Sequence, residues 1–93
     1  MLLEDFLQLL ADLGGQNVLY LQVQDQTLPL SKFVLAREDC QLLCGGQAMT
    51  LAKFRQLTGK GSKSIPLSFC WQKKEIPVYG VQILPAEGKI ICK

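Results

Sequence analysis

Cys40, Cys44, Cys70 and Cys92 are the softest side chains in this sequence, and any metal or thiol chemistry would begin with them. A structural zinc site needs four converging ligands, usually delivered as closely spaced CxxC pairs. Here the spacing is Cys40-x3-Cys44 with two isolated partners, so no paired knuckle exists. On one strand, Cys40 and Cys44 would share a face roughly 13 Å apart, too far to chelate or bridge within that strand. The expected state is four free thiols packed as small hydrophobes. The alternatives are a disulfide or a metal, and Cys44 and Cys92, which occupy matching places in the repeat described below, are the pair that could meet.

The chain contains no histidine. That removes the usual general base, the Ser-His and Cys-His nucleophile pairs and the commonest metal ligand. No enzyme is expected, and no catalytic residue, metal or cofactor is assigned. The carboxylate pairs Glu4-Asp5 and Glu38-Asp39 fall at a helix start and in a turn. They are solvated there, whereas acid-base catalysis needs carboxylates converging in a pocket. Gly59-x-Gly61-Ser62-Lys63-Ser64 has the composition of a phosphate-binding loop but lacks the GxxxxGK[ST] spacing and sits between helix and strand in the wrong order. It reads as a flexible linker with exposed lysines.

The elements that would carry these residues follow one pattern twice. Leu3-Glu4-Asp5-Phe6-Leu7-Gln8-Leu9 returns as Leu51-Ala52-Lys53-Phe54-Arg55-Gln56-Leu57, 48 residues on, and the register holds to the end of the chain. Setting Met1 and Met49 aside, residues 2–45 and 50–93 share eight identities, where about three are expected by chance. Apolar pairs such as Leu21/Phe69, Val23/Trp71, Leu30/Val78 and Leu42/Ile90 extend the match. Only the matched glutamines Gln8/Gln56 and Gln24/Gln72 have no packing explanation.

Residues 2–13 space their leucines and Phe6 by three and four, as an amphipathic helix requires, and Gly14-Gly15 ends it. Leu19, Leu21 and Val23 alternate along a strand over 18–24, followed by a turn at 25–27 and a second strand over 28–35. The apolar phase of that second strand slips between Leu30 and Phe33, which predicts a bulge at Ser31-Lys32, and Pro29 places the strand at an edge or breaks it near its start. A third strand spans Cys40 to Cys44. In the second copy, Thr50 caps a helix over 51–58 with Leu51, Phe54 and Leu57 inward. Strands then cover 66–72, 76–84 with the same slip at Tyr79-Gly80, and 89–92. The sum is an α+β domain, residues 1–93, made of two α-β-β-β repeats (1–45 and 49–93) with pseudo-twofold symmetry and antiparallel sheets packed on two short helices. A continuous or barrel-like sheet is preferred.

Apolar residues make up 48% of the chain and charged residues 19%, a composition that folds and does not stay disordered. A 45-residue half is too small to hold a core alone, so the halves share one. No apolar run is long enough to span a membrane and no basic region precedes the first leucines, so a cytoplasmic location is expected. Residues 1–45 carry two basic against six acidic side chains, a net of −4, and residues 46–93 carry eight against two, a net of +6. This opposition favours docking of the halves, head-to-tail association, or an anionic partner at the second half.

The function expected on these grounds is a small non-enzymatic interaction module that binds another protein or itself at sheet edges marked by Pro29 and Pro77. Weak nucleic-acid binding is the alternative, with Lys60, Lys63, Lys73 and Lys74 as phosphate contacts and Tyr79 stacking; Trp71 is assigned to the core. A small-molecule binder in the groove between the repeats is the third reading.

Overall fold

In the computed structural model, which describes residues 1–59 and 64–93, the spaced leucines and phenylalanines form helices α1 (Leu3–Leu9) and α2 (Leu51–Thr58). The alternating stretches form β1 (Val18–Val23), β2 (Gln26–Leu35), β3 (Cys40–Cys44), β4 (Leu67–Trp71), β5 (Lys74–Pro77), β6 (Val81–Leu84) and β7 (Lys89–Cys92). Thr50 caps α2 through its side-chain oxygen, which accepts from the Lys53 N–H at 3.3 Å. α1 has no side-chain cap, and its first amide, Leu3, instead donates to the Ile65 carbonyl at 2.8 Å. α1 ends well before Gly14. Its chain tightens into shorter-range bonds, Ala11 N–H to Gln8 O and Leu13 N–H to Leu10 O, while Arg55 takes up the Leu10 and Leu13 carbonyls.

The seven strands make one curled sheet in the order β5-β4-β3-β2-β1-β7-β6. It is mixed, not antiparallel: β1 pairs with β7 and β3 with β4 in parallel. The short turns do exclude crossovers within each run of strands. The β3 to β4 connection, however, carries α2 and is long enough to return the chain in the same direction. β2 is shared by two partners. Its first four residues pair with β1 and the rest with β3, and the register shifts between Leu30 and Lys32, at the expected bulge. The second slip, at Tyr79-Gly80, is a complete break separating β5 from β6.

Pro29 is correspondingly not at an edge. Within a strand a residue's N–H and C=O point the same way, and the Pro29 carbonyl accepts from Gly45 N–H at 3.2 Å, past the end of β3. The missing donor therefore faces away from the β1 ladder and breaks no bond in it. β5 and β6, the terminal strands of the order, are four residues each and are joined by Val78, Tyr79 and Gly80. In that link the Val78 N–H donates to Leu67 O at 3.0 Å and the Tyr79 N–H to Lys93 O at 2.7 Å, which ties the β4 side to the β7 side. Pro29 is thereby excluded as an edge for docking, whereas Pro77 lies in β5, an end strand of the sheet.

The concave face of the sheet and the two helices enclose the core. β1 contributes Leu19, Leu21 and Val23, β4 Leu67 and Phe69, and β7 Ile90 and Cys92, alternate residues as the pleat demands. Phe6 and Phe54 meet edge-to-face at 5.5 Å between centroids, and Phe54 also packs on Phe33 at 5.0 Å. The buried positions recur: Leu3 and Phe6 of α1 with Leu10 just past its end, and Leu51, Phe54 and Thr58 of α2. Thr58 satisfies its hydroxyl by donating to the Phe54 carbonyl at 2.8 Å. The seventh positions, Leu9 and Leu57, were expected inward with the phenylalanines. They lie on the flank, 53% and 51% exposed.

Gln24 and Gln72 are the first central residues of the β1-β2 and β4-β5 hairpin turns, both at positive φ, 55° and 50°. These two-residue turns are tighter than the sequence pattern suggested, and each needs a left-handed residue to match the strand twist. One pair of matched glutamines thus has a backbone reason.

Candidate functional site

Two surface depressions lie where β2 passes α2, on either side of Met49. Met49 is fixed by its backbone: its N–H donates to Leu30 O at 2.7 Å and its carbonyl accepts from Leu19 N–H at 2.9 Å. One depression of about 280 Å³ is bounded by Ser31, Gln47, Met49, Thr50 and Lys53. A second, of about 290 Å³, is bounded by Lys32, Phe33, Leu35, Met49 and Leu57. The bulge shapes both. It turns Lys32 to solvent, lets the Ser31 hydroxyl donate to Leu43 O at 3.4 Å, and aims Phe33 at Phe54. The groove so formed has an apolar end lined by Phe33, Leu35, Met49 and Leu57 with Lys32 beside it, and a polar end beyond Met49 that holds Lys53. Such a surface can seat an apolar group next to a negative charge; it has no paired acid and base with which to perform a reaction.

Three of the residues assigned to nucleic-acid contact are described. Lys73 and Lys74 sit at the tip of the β4-β5 hairpin, and Lys73 is held at φ 64°. Tyr79 is 80% exposed but lies in the β5-β6 link with its backbone bonded to Lys93. Four residues, Glu75 to Val78, lie between it and Lys74. Lys60 and Lys63 fall outside the described residues. Lys89 is engaged elsewhere, 3.6 Å from Glu87 and 5.4 Å from the centre of the Tyr20 ring. Trp71 is partly buried against the core.

All four cysteines are free thiols. Cys40 and Cys92 are fully buried, and burial pushes Cys92 up to about 12 and Cys40 to about 11, the latter helped by the negative charge of Asp39. Cys44 and Cys92 end β3 and β7, and β2 and β1 stand between those strands in the sheet order. Among the described residues no cluster of three cysteine or carboxylate side chains is placed to hold a metal ion, and no helix is long and apolar enough to cross a membrane.

Sequence reasoning expected a groove between the repeats but did not assign these residues to it, because it left Met49 out of the comparison and turned Leu57 inward. The usable signal was helical spacing. Lys53 and Leu57, four residues apart, share a flank that Leu51 and Phe54 do not. Comparison of the chain with protein-family models, with curated proteins and with solved structures returns no match.

Proposed function

We propose that this chain is a small non-enzymatic interaction module, one body built from two α-β-β-β repeats about a pseudo-twofold axis, which binds another protein or a second copy of itself. The repeat reading draws support from hydrogen bonds that recur at the 48-residue offset. Met1 N donates to Val78 O at 2.9 Å, and Met49 N to Leu30 O at 2.7 Å. Leu67 N–H donates to Met1 O and Leu19 N–H to Met49 O, both at 2.9 Å; Leu3 N–H donates to Ile65 O and Leu51 N–H to Asn17 O, both at 2.8 Å. A cytoplasmic setting suits four unpaired thiols, which a reducing compartment preserves.

The observation that carries the interaction reading is the half-exposure of Leu9 and Leu57 on helices whose other leucines are covered, one of them beside an apolar groove. Apolar side chains kept at a surface depression mark contact sites more often than isolated exposed leucines do. Cross-linking in the native host from residues flanking Leu9 and Leu57 tests it. Cross-linked species should form with the natural chain and disappear for Leu9→Asp and Leu57→Asp; identical cross-links in all three would end the reading.

A second reading, a small anionic ligand with an apolar tail, is favoured by the depressions beside Met49, which lie between the first repeat and the second. Saturable NMR shifts confined to Phe33, Met49 and Leu57 during titration with short-chain carboxylates would support it, and shifts scattered over the surface would remove it. Nucleic-acid binding through Lys73 and Lys74 predicts a mobility shift of single-stranded DNA or RNA that a Lys73→Glu/Lys74→Glu variant loses.

A further inference from the structure

Asp5 and Leu9 lie four residues apart on α1, and Lys53 and Leu57 four residues apart on α2, so each charge and its leucine share a helix flank. The leucines are equally exposed, while the charges beside them are opposite in sign. On α2, Leu57 borders the depression lined by Phe33, Leu35, Met49 and Lys32, and Lys53 lines the adjoining depression on the other side of Met49. On α1, Leu9 stands out from the surface with Asp5 one turn before it and Asp12 in the exposed turn after it.

The two flanks cannot satisfy each other within one chain. Arg55, two residues from Leu57 and thus about 200° around the helix, donates to the Leu10 and Leu13 carbonyls and fixes α1 on the far side of α2. The basic groove faces away from its own acidic helix. A second molecule can supply what the first cannot.

We propose that the groove between β2 and α2 receives α1 of a second copy of this chain. Leu9 of that copy enters between Leu57 and Phe33, with its Asp5 and Asp12 facing Lys53 and Lys32. This deepens the interaction-module reading and rests on it. The donor flank and the receiving groove are different patches, so the contact is heterologous and extends head to tail. Charges at the rim of a small apolar contact contribute mainly orientation and encounter, so the association is salt-sensitive.

Sedimentation velocity over micromolar to millimolar protein tests the contact, using two surface variants whose folding is checked by circular dichroism. Asp5→Lys/Asp12→Lys spoils the inserting flank and leaves the groove. Lys32→Asp/Lys53→Asp spoils the groove and leaves the flank. The natural chain should form species larger than dimer with rising concentration, and association should weaken at least about tenfold between 0.1 M and 1 M salt as the screening length falls from about 10 Å to about 3 Å. Each variant alone should be monomeric. Their equimolar mixture should recover association beyond the dimer, because the intact flank of one fits the intact groove of the other and the reversed flank fits the reversed groove. A natural chain that stays monomeric at millimolar concentration overturns the proposal, as does a variant that self-associates like the natural chain, or a mixture that stays monomeric. A monomeric natural chain removes this contact alone; the interaction-module reading is decided separately by cross-linking in the host.

Discussion

Arg55 of α2 donates from its guanidinium to the carbonyl oxygen of Leu13 at 3.1 Å, and from the same nitrogen to the carbonyl of Leu10, where α1 unwinds. A cation at a helix C-terminus meets both the negative end of the backbone dipole and carbonyls that have no partner inside the helix. Arg55→Ala should therefore destabilise the fold by about 1–3 kcal/mol, the cost of leaving part-buried acceptors without their charged donor. Arg55→Lys should recover only part, since an ammonium on a shorter stem lacks the planar fork of guanidinium. Urea unfolding of the three proteins ranks them; equal midpoints would show the contact to be idle.

Thiol labelling should split into two classes. Cys44 and Cys70 are partly exposed, whereas Cys40 and Cys92 are fully buried with their pKa values raised. Since the thiolate is the reactive form, two groups should react quickly with an aromatic disulfide reagent and two only as the chain opens or in denaturant. Four equal rates would contradict the burial pattern.

The same two thiols make the fold sensitive to alkali. In the unfolded chain they ionise from the ordinary value of 9.0, while in the folded chain Cys40 holds its proton to about 11 and Cys92 to about 12. Above pH 9 the folded state therefore binds more protons, and stability that is complete below pH 9 declines as pH rises toward the folded values. The slope is about 1.4 kcal/mol per pH unit for each thiol. Denaturant titrations between neutrality and pH 10.5 should show this fall, and Cys92→Ala, though less stable at neutral pH, should show a shallower one.

Two glycines should respond oppositely to alanine. A Cβ on Gly15 would stand 2.8 Å from the Ala52 side chain, at a place where the Gly15 carbonyl also accepts from Ala52 N–H at 3.0 Å. Gly15→Ala must push the first turn of α2 off the entry to β1, at a cost of about 1–3 kcal/mol. A Cβ on Gly80 meets nothing within 4 Å, and its φ is outside the left-handed region. Gly80→Ala should be neutral or stabilise by about 0.4–1 kcal/mol through the unfolded state. Thermal melts of both proteins decide it.

Much of this molecule was legible from its sequence because hydrophobic period determines elements. Leu19, Leu21 and Val23 are buried by alternation, Thr50 caps α2, and the phase slip at Ser31-Lys32 is a shift in ladder register. The sheet's parallel joins were not legible, since they pair the last strand of each run with the first strand of the other and leave no local signal. The residues that line the groove between the repeats were not legible for a related reason. Met49 contributes through backbone bonds to Leu19 and Leu30, long-range partners that no spacing rule reveals, and Leu57 departs from the core by one helical step.

The residues just before each helix are bonded into the far part of the chain: Met1 to Leu67 and Val78, Met49 to Leu19 and Leu30. The two stretches of polypeptide are thus clasped like linked hands, each gripping the other's wrist. A protease nick in the exposed Gly45-Gly46-Gln47 segment should not release either fragment. The cut pieces should co-elute under native conditions and part only in denaturant, and neither expressed alone should fold.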